Sequence, residues 1–194
     1  MNSKKKIILI VSAFVLVVAL ATVGVLAATS QTMTITNNIS FTATNVNASV
    51  SISAKNGGTA IADLDSKTTG NQGTLSKTWQ AADTSATTSW ETPVITFASK
   101  TASIVYTITF TNIGSKTATA TFTQAHASGT VTGNVKETYA YSGTGTKGTL
   151  SGLNQPYTLT QGQTMIITVT LTIDKPERDV NAQAFTWNGT IATA

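Results

Sequence analysis

Along most of this chain apolar side chains return at every second position. In residues 29–54 they fall at Met33 and Ile35, then at Ile39, Phe41 and Ala43; past Asn45 the parity shifts to Val46, Ala48, Val50 and Ile52. A strand sends successive side chains to opposite faces, so this pattern predicts two half-buried strands with a break between them. Asn37 and Asn38 interrupt the first run and set off residues 29–37 as a short strand of its own. The same period governs Ile104, Tyr106, Ile108 and Phe110, then Ala118, Ala120 and Phe122. The turn Asn112–Ile113–Gly114–Ser115 between those two runs predicts a β-hairpin, apolar inside and threonine-faced outside. Met165, Ile167, Val169, Leu171 and Ile173 mark a further strand, and Phe185 with Trp187 a last one.

Residues 54–93 carry no sustained period. They read as loops with a short strand or helical turn, pinned to the domain by Leu75 and by Trp79 or Trp90. No helical period appears after residue 28, and turn signals recur at roughly 8–12-residue spacing. The expected fold is all-β: an antiparallel β-sandwich, jelly-roll-like, preceded by an N-terminal apolar signal helix.

That helix is the one segment with a different pattern. Lys4, Lys5 and Lys6 precede an uncharged stretch, residues 7–28, which ends in the small-residue site Val25–Leu26–Ala27. A basic cluster, an apolar core and small residues at the cut are the parts of a secretory signal peptide, here cleaved after Ala27 or Ala28. The stretch would also reach roughly 33 Å as a helix, about one bilayer, so a retained membrane anchor is the alternative. Both readings export the remainder of the chain. The domain plan is a signal peptide or anchor at 1–28, an N-terminal strand at 29–37 and a sandwich at 38–194.

Composition sharpens this. Charged residues are 10% of the chain, against roughly 25% in an average soluble protein, and threonine, serine, asparagine and glycine take their place. Such a surface repels its own copies only weakly. The net charge of +4 is largely carried by the three N-terminal lysines, so the exported part has no basic footprint for nucleic acid. Cysteine is absent, which removes disulfide and thiolate chemistry.

Candidate chemistry is sparse. His126 is the only histidine, so a nucleophilic triad would have to use it; it sits at a strand end and is read as an exposed or half-buried strand-end histidine, and with neither a His-Glu-x-x-His pattern nor cysteine no zinc site is expected. Two acidic spots, Asp63–Leu64–Asp65 and residues 174–179, match no calcium-loop spacing. The chain is therefore read as a non-enzyme, with no catalytic residue, no metal ligand and no cofactor. Trp79 and Trp90, together with the loops of residues 54–93, are the candidate ligand-facing aromatics of a carbohydrate-binding or adhesin-like module. Met33 and Ile35 are the candidate contacts of a donated strand.

Phe110, Asn112, Gly114 and Ser115 mid-chain, then Phe185, Trp187 and Asn188 near the end, follow a Lys-rich leader and an early strand. In this order of parts the chain resembles the TasA/camelysin family of exported bacterial matrix proteins. The resemblance implies a jelly-roll-like sandwich whose members assemble into extracellular biofilm fibres, the N-terminal strand freed by signal cleavage inserting into the next subunit. It implies copies of the chain as head-to-tail partners, with other matrix proteins or cell-wall glycans beside them. The metalloprotease label carried by camelysins has no metal-binding residues here to support it. A strand at residues 29–37 can pair at home or be offered to a neighbour's sheet edge, with Met33 and Ile35 filling alternate pockets.

Overall fold

The computed structural model describes residues 34–67, 72–80, 85–124, 135–148, 154–174 and 183–194. Residues 1–33, which hold the expected signal helix and Met33, lie outside them, as does His126. Among the described residues there are thirteen strands and no helix.

Two antiparallel-rich sheets face each other. The first contains β1 (Thr34–Thr44), β5 (Ala86–Glu91), β6 (Ile95–Thr96), β8 (Ala118–Gln124), β10 (Thr146–Lys147), β11 (Tyr157–Leu159) and β13 (Gln183–Thr193). Its order is β10-β11-β8-β13-β1-β5, with β6 also against β1. The second contains β2 (Ala48–Asn56), β3 (Thr59–Ala60), β4 (Thr74–Trp79), β7 (Ser103–Asn112), β9 (Val135–Gly143) and β12 (Thr164–Ile173). Its order is β3-β2-β7-β12-β9, with β4 also against β2. The two-residue period explains both: in β7 every second residue from Ile104 to Asn112 is buried, and in β12 every second one from Met165 to Leu171.

Two expectations change. The runs 104–110 and 118–122 do not form a hydrogen-bonded hairpin. β7 pairs with β2 and β12, whereas β8 pairs with β13 and β11, so the chain crosses from one sheet to the other between them. Both strands have one apolar face, and an arch lets those faces meet across the core instead of lying side by side. The side chain of Asn112 holds the arch. Fully buried, it donates to the carbonyls of Lys116 (2.7 Å) and Leu159 (2.8 Å) and accepts from the Gly114 N–H (3.0 Å). Nor does Asn37–Asn38 end a strand: β1 runs unbroken to Thr44, and the parity change falls at Asn45, whose φ is +52°. A three-residue link, Asn45 to Asn47, then carries the chain into the other sheet.

The core layer is aromatic. Phe41 of β1 meets Phe110 of β7 edge-on at 5.2 Å, and Tyr106 meets Trp187 edge-on at 5.0 Å. Gly189 of β13 sits in register between Phe41 and Phe122, and a Cβ there would lie 2.4 Å from the Phe110 ring and 2.5 Å from the Phe41 ring. The glycine is the space into which those rings fit. Gly189→Ala overpacks this point and is expected to cost about 1–3 kcal/mol, read as a lower urea midpoint with an unchanged slope.

Candidate functional site: the first strand and its slot

β1 occupies an interior position in its sheet although it is the first described strand. On one side it runs parallel to β13 from Ile35↔Gln183 to Thr44↔Ala192. On the other it is antiparallel to β5 (Asn38↔Glu91 to Ala43↔Ala86) and to β6 (Thr34↔Thr96, Ile35↔Ile95). Its inward side chains Ile35, Asn37, Ile39, Phe41 and Ala43 are all buried. On the outer face Ser40 and Thr42 share hydroxyl hydrogen bonds with Ser89 (2.9 Å) and Thr87 (2.8 Å).

Asn37 is the polar member of the inward row. Its Nδ2 donates to the Tyr106 hydroxyl across the core, its backbone N–H donates to Thr92 Oγ1 (2.9 Å), and its carbonyl accepts from the Thr92 N–H (2.8 Å). Sequence reading missed this network; the available signal was an asparagine at the parity of the buried residues. A second polar contact, part-buried, has Trp187 Nε1 donating to Glu137 Oε1 at 2.5 Å and ties β13 to edge strand β9.

The sequence-derived site residues separate. Ile35 is fully buried in this chain's own sheet, while Met33 lies outside the described residues. Trp79 is 1% exposed, on the second sheet, because β4 turns it inward against the core. It offers no face to a ligand. Trp90 is half-buried on the first sheet, tilted against Phe41 at 5.9 Å. The two tryptophans thus stand in different sheets and form no shared platform. Asp63 and Asp65 serve turns: Asp63 Oδ1 accepts from the Asp65 N–H (3.3 Å) and Asp65 Oδ1 from the Lys67 N–H (3.1 Å). Among the described residues no group of three His, Asp or Glu side chains could hold a metal.

The sandwich has two ends. At the end where β1 begins, an open groove of about 480 Å³ is lined by Ile61, Asp63, Pro93 and Val94 among others. Asn56 braces it, donating to the Thr96 carbonyl (2.6 Å) and accepting from the Ala98 N–H (2.9 Å). At the opposite end the Asn45–Asn47 link meets the β7–β8 arch. The Asn47 carbonyl accepts from the Ile113 (2.9 Å) and Gly114 (3.0 Å) N–H groups, and a Cβ on Gly114 would lie 2.9 Å from that of Asn47.

All four tyrosines lie among the described residues, and each holds its proton more tightly than usual because burial disfavours the phenolate. Tyr141 is pushed up to about 12. Tyr139 is raised further, first by burial and then by the Glu137 carboxylate beside it.

No protein-family model and no curated protein matches the chain. Among solved structures it is similar to the major pilin from Streptococcus pyogenes at 10% identity, over 84% of this chain and 48% of that one, with a TM-score of 0.26. It is similar to the CBM3a-L domain of a cellulosome scaffoldin from Clostridium thermocellum at 15% identity, over 69% and 72%, with a TM-score of 0.27. The chain spans about half the length of that pilin. Likeness at these TM-scores assigns no function.

Tyr106→Phe leaves the buried Asn37 amide without its acceptor and is expected to lower stability by about 1–3 kcal/mol in a denaturant titration. The raised tyrosines set the high-pH behaviour. The unfolded chain loses phenolic protons near pH 10 while the folded chain keeps them, so stability is full below that pH and falls as pH rises above it. Melting temperature should decline through pH 10–12, with most of the tyrosinate absorbance appearing as the protein unfolds.

Proposed function

We propose that this chain is an exported structural subunit that polymerises into cell-surface or biofilm-matrix fibres, and that the polymer forms by exchange of the N-terminal strand. Signal cleavage near Ala28 frees the segment that leads into β1. The observation that carries the reading is the place of β1: a strand near the chain's start fills an interior slot, between β13 and β5 with β6, and is tied to the rest of the domain by three residues. A neighbour's β1 entering the same slot recovers the same ladder and the same pockets, which is the condition for low-cost strand exchange. Opening the Asn45–Asn47 link also relieves the left-handed backbone of Asn45. The sparsely charged Thr/Ser surface and the resemblance of the mid-chain and C-terminal motifs to the TasA/camelysin family support the same reading.

The absence of cysteine gives a clean test. Thr42 and Thr87 face each other with hydroxyls 2.8 Å apart, so Thr42→Cys with Thr87→Cys places a disulfide across β1 and its slot. In filaments seen by negative-stain microscopy, mild oxidation is expected to link separate chains into a ladder on a denaturing gel. Filaments whose disulfides stay within single chains would exclude exchange of β1. A chain that forms no filaments, with its native N-terminus confirmed by mass spectrometry, would exclude the fibre reading.

A further inference from the structure

The chain has two Asn–Gly pairs, Asn56–Gly57 and Asn188–Gly189. In such a pair the glycine nitrogen, unhindered by a Cβ, can attack the asparagine side-chain amide. The fold places the two pairs differently. Asn188 lies mid-strand in β13, with Ser40 of β1 on one side and Thr123 of β8 on the other. Asn56 ends β2, and the exposed Gly57 and Gly58 make the two-residue turn into β3, with φ of +57° and +89°. The Asn56 side chain reaches out of its own sheet: Nδ2 donates to the Thr96 carbonyl (2.6 Å) and Oδ1 accepts from the Ala98 N–H (2.9 Å). β2 belongs to the second sheet and β6, which Thr96 ends, to the first. This one amide therefore ties the sheets together at the end where β1 begins. There β6 pairs with Thr34 and Ile35, at the mouth of the β1 slot.

We propose that Asn56–Gly57 is a self-modifying site, whose conversion to aspartate or isoaspartate releases β6 from the second sheet and loosens the mouth of the β1 slot. The Gly57 nitrogen bonds to the Asn56 Cγ, ammonia leaves with Nδ2 and the Gly57 amide proton, and water opens the resulting succinimide at either carbonyl. In balance, water is taken up and ammonia is lost. The closed fold holds this chemistry back, because the Gly57 N–H donates to the Ser103 carbonyl (2.9 Å) and both polar atoms of the Asn56 amide are bonded. Attack therefore waits for a local opening, which an exposed hairpin turn undergoes more readily than the interior of β13. Once formed, the carboxylate has no proton to give the Thr96 carbonyl. Two acceptors then face each other where a donor and an acceptor stood. The groove wall around them already carries Asp63, and among the described residues no cationic side chain lines it. Isoaspartate also lengthens the backbone by one methylene where Asn56 pairs with Thr59. The loosening concerns the slot of a single chain, and holds whether or not a neighbour's strand enters it.

The test ages the full chain in mildly alkaline buffer, once folded and once in urea, and follows both Asn–Gly pairs by peptide mass spectrometry. In urea the two are expected to convert at similar rates. In the folded chain Asn56 should convert at least severalfold faster than Asn188, and at least severalfold slower than it does in urea. An Asn56 as durable as Asn188 would overturn the site. Conversion as fast folded as unfolded would mean that the hydrogen bonds of Asn56 and Gly57 hold nothing closed, and would overturn the bridge. The deamidated fraction, separated by its added negative charge, is then compared with the unmodified chain by hydrogen–deuterium exchange. Peptides covering β6 and the start of β1 should exchange about tenfold faster, and those of β7 and β12 at an unchanged rate. Asn56→Asp should reproduce the change. Unchanged exchange in both the deamidated fraction and Asn56→Asp would sink the release of β6, and equally faster exchange in every strand would replace it by general destabilisation.

Discussion

The parallel pairing of the first described strand with the last holds the sandwich together. β13 lies between β1 and β8, and β5 and β6 reach the rest of their sheet only through β1. Ile35, Ile39 and Phe41 are each 1% exposed or less. At about 1.5–3 kcal/mol apiece their burial is worth roughly 5–9 kcal/mol, comparable with the whole net stability of an ordinary domain, about 5–15 kcal/mol. The slot between β13 and β5 therefore has to be filled. Nothing in the contacts requires that the filling strand come from the same chain.

That indifference links fold to assembly. A swapped β1 makes every hydrogen bond and every buried contact that the resident strand makes, so exchange alters only the link at Asn45–Asn47 and the freedom lost on association. The latter costs roughly 4–15 kcal/mol, and strand exchange alone offers no new contact to offset it. In the proposed fibre, contacts between bodies must do so. A nearly uncharged surface removes the repulsion that would otherwise oppose them.

The short motifs around Phe110–Ser115 and Phe185–Asn188 acquire physical meaning in the fold. Phe110 and Phe41 form an inter-sheet aromatic contact, and Gly189, directly after Trp187–Asn188, leaves the space in which they pack. Asn112 satisfies two carbonyls and one N–H at a buried sheet-to-sheet crossing, and Gly114 lets that arch approach Asn47. These residues serve the sandwich and its arch.

Side-chain alternation is a local property, so the strands, their inward faces and the all-β class were legible from residues two apart: Ile104 to Phe110, Met165 to Leu171, and the parity change at Asn45. The uncharged run at residues 7–28 and the lack of cysteine are read directly from the sequence, being properties of composition and run length. What lies next to each strand is a non-local matter. The stretch that reads as a hairpin around Asn112 is an arch, because both flanking strands need a core on their apolar faces and the Asn112 side chain can satisfy the crossing. Asn37 reads as a break but sits mid-strand, because Tyr106, contributed by the opposite sheet, accepts its amide proton. Trp79 and Trp90 look equivalent in sequence, yet one is buried in the second sheet and the other half-buried in the first, a difference decided by which face of each strand meets the core. The sequence by itself determined which residues seek burial; only the tertiary structure decided which of them meet, since that depends on sheet partners distant in the chain.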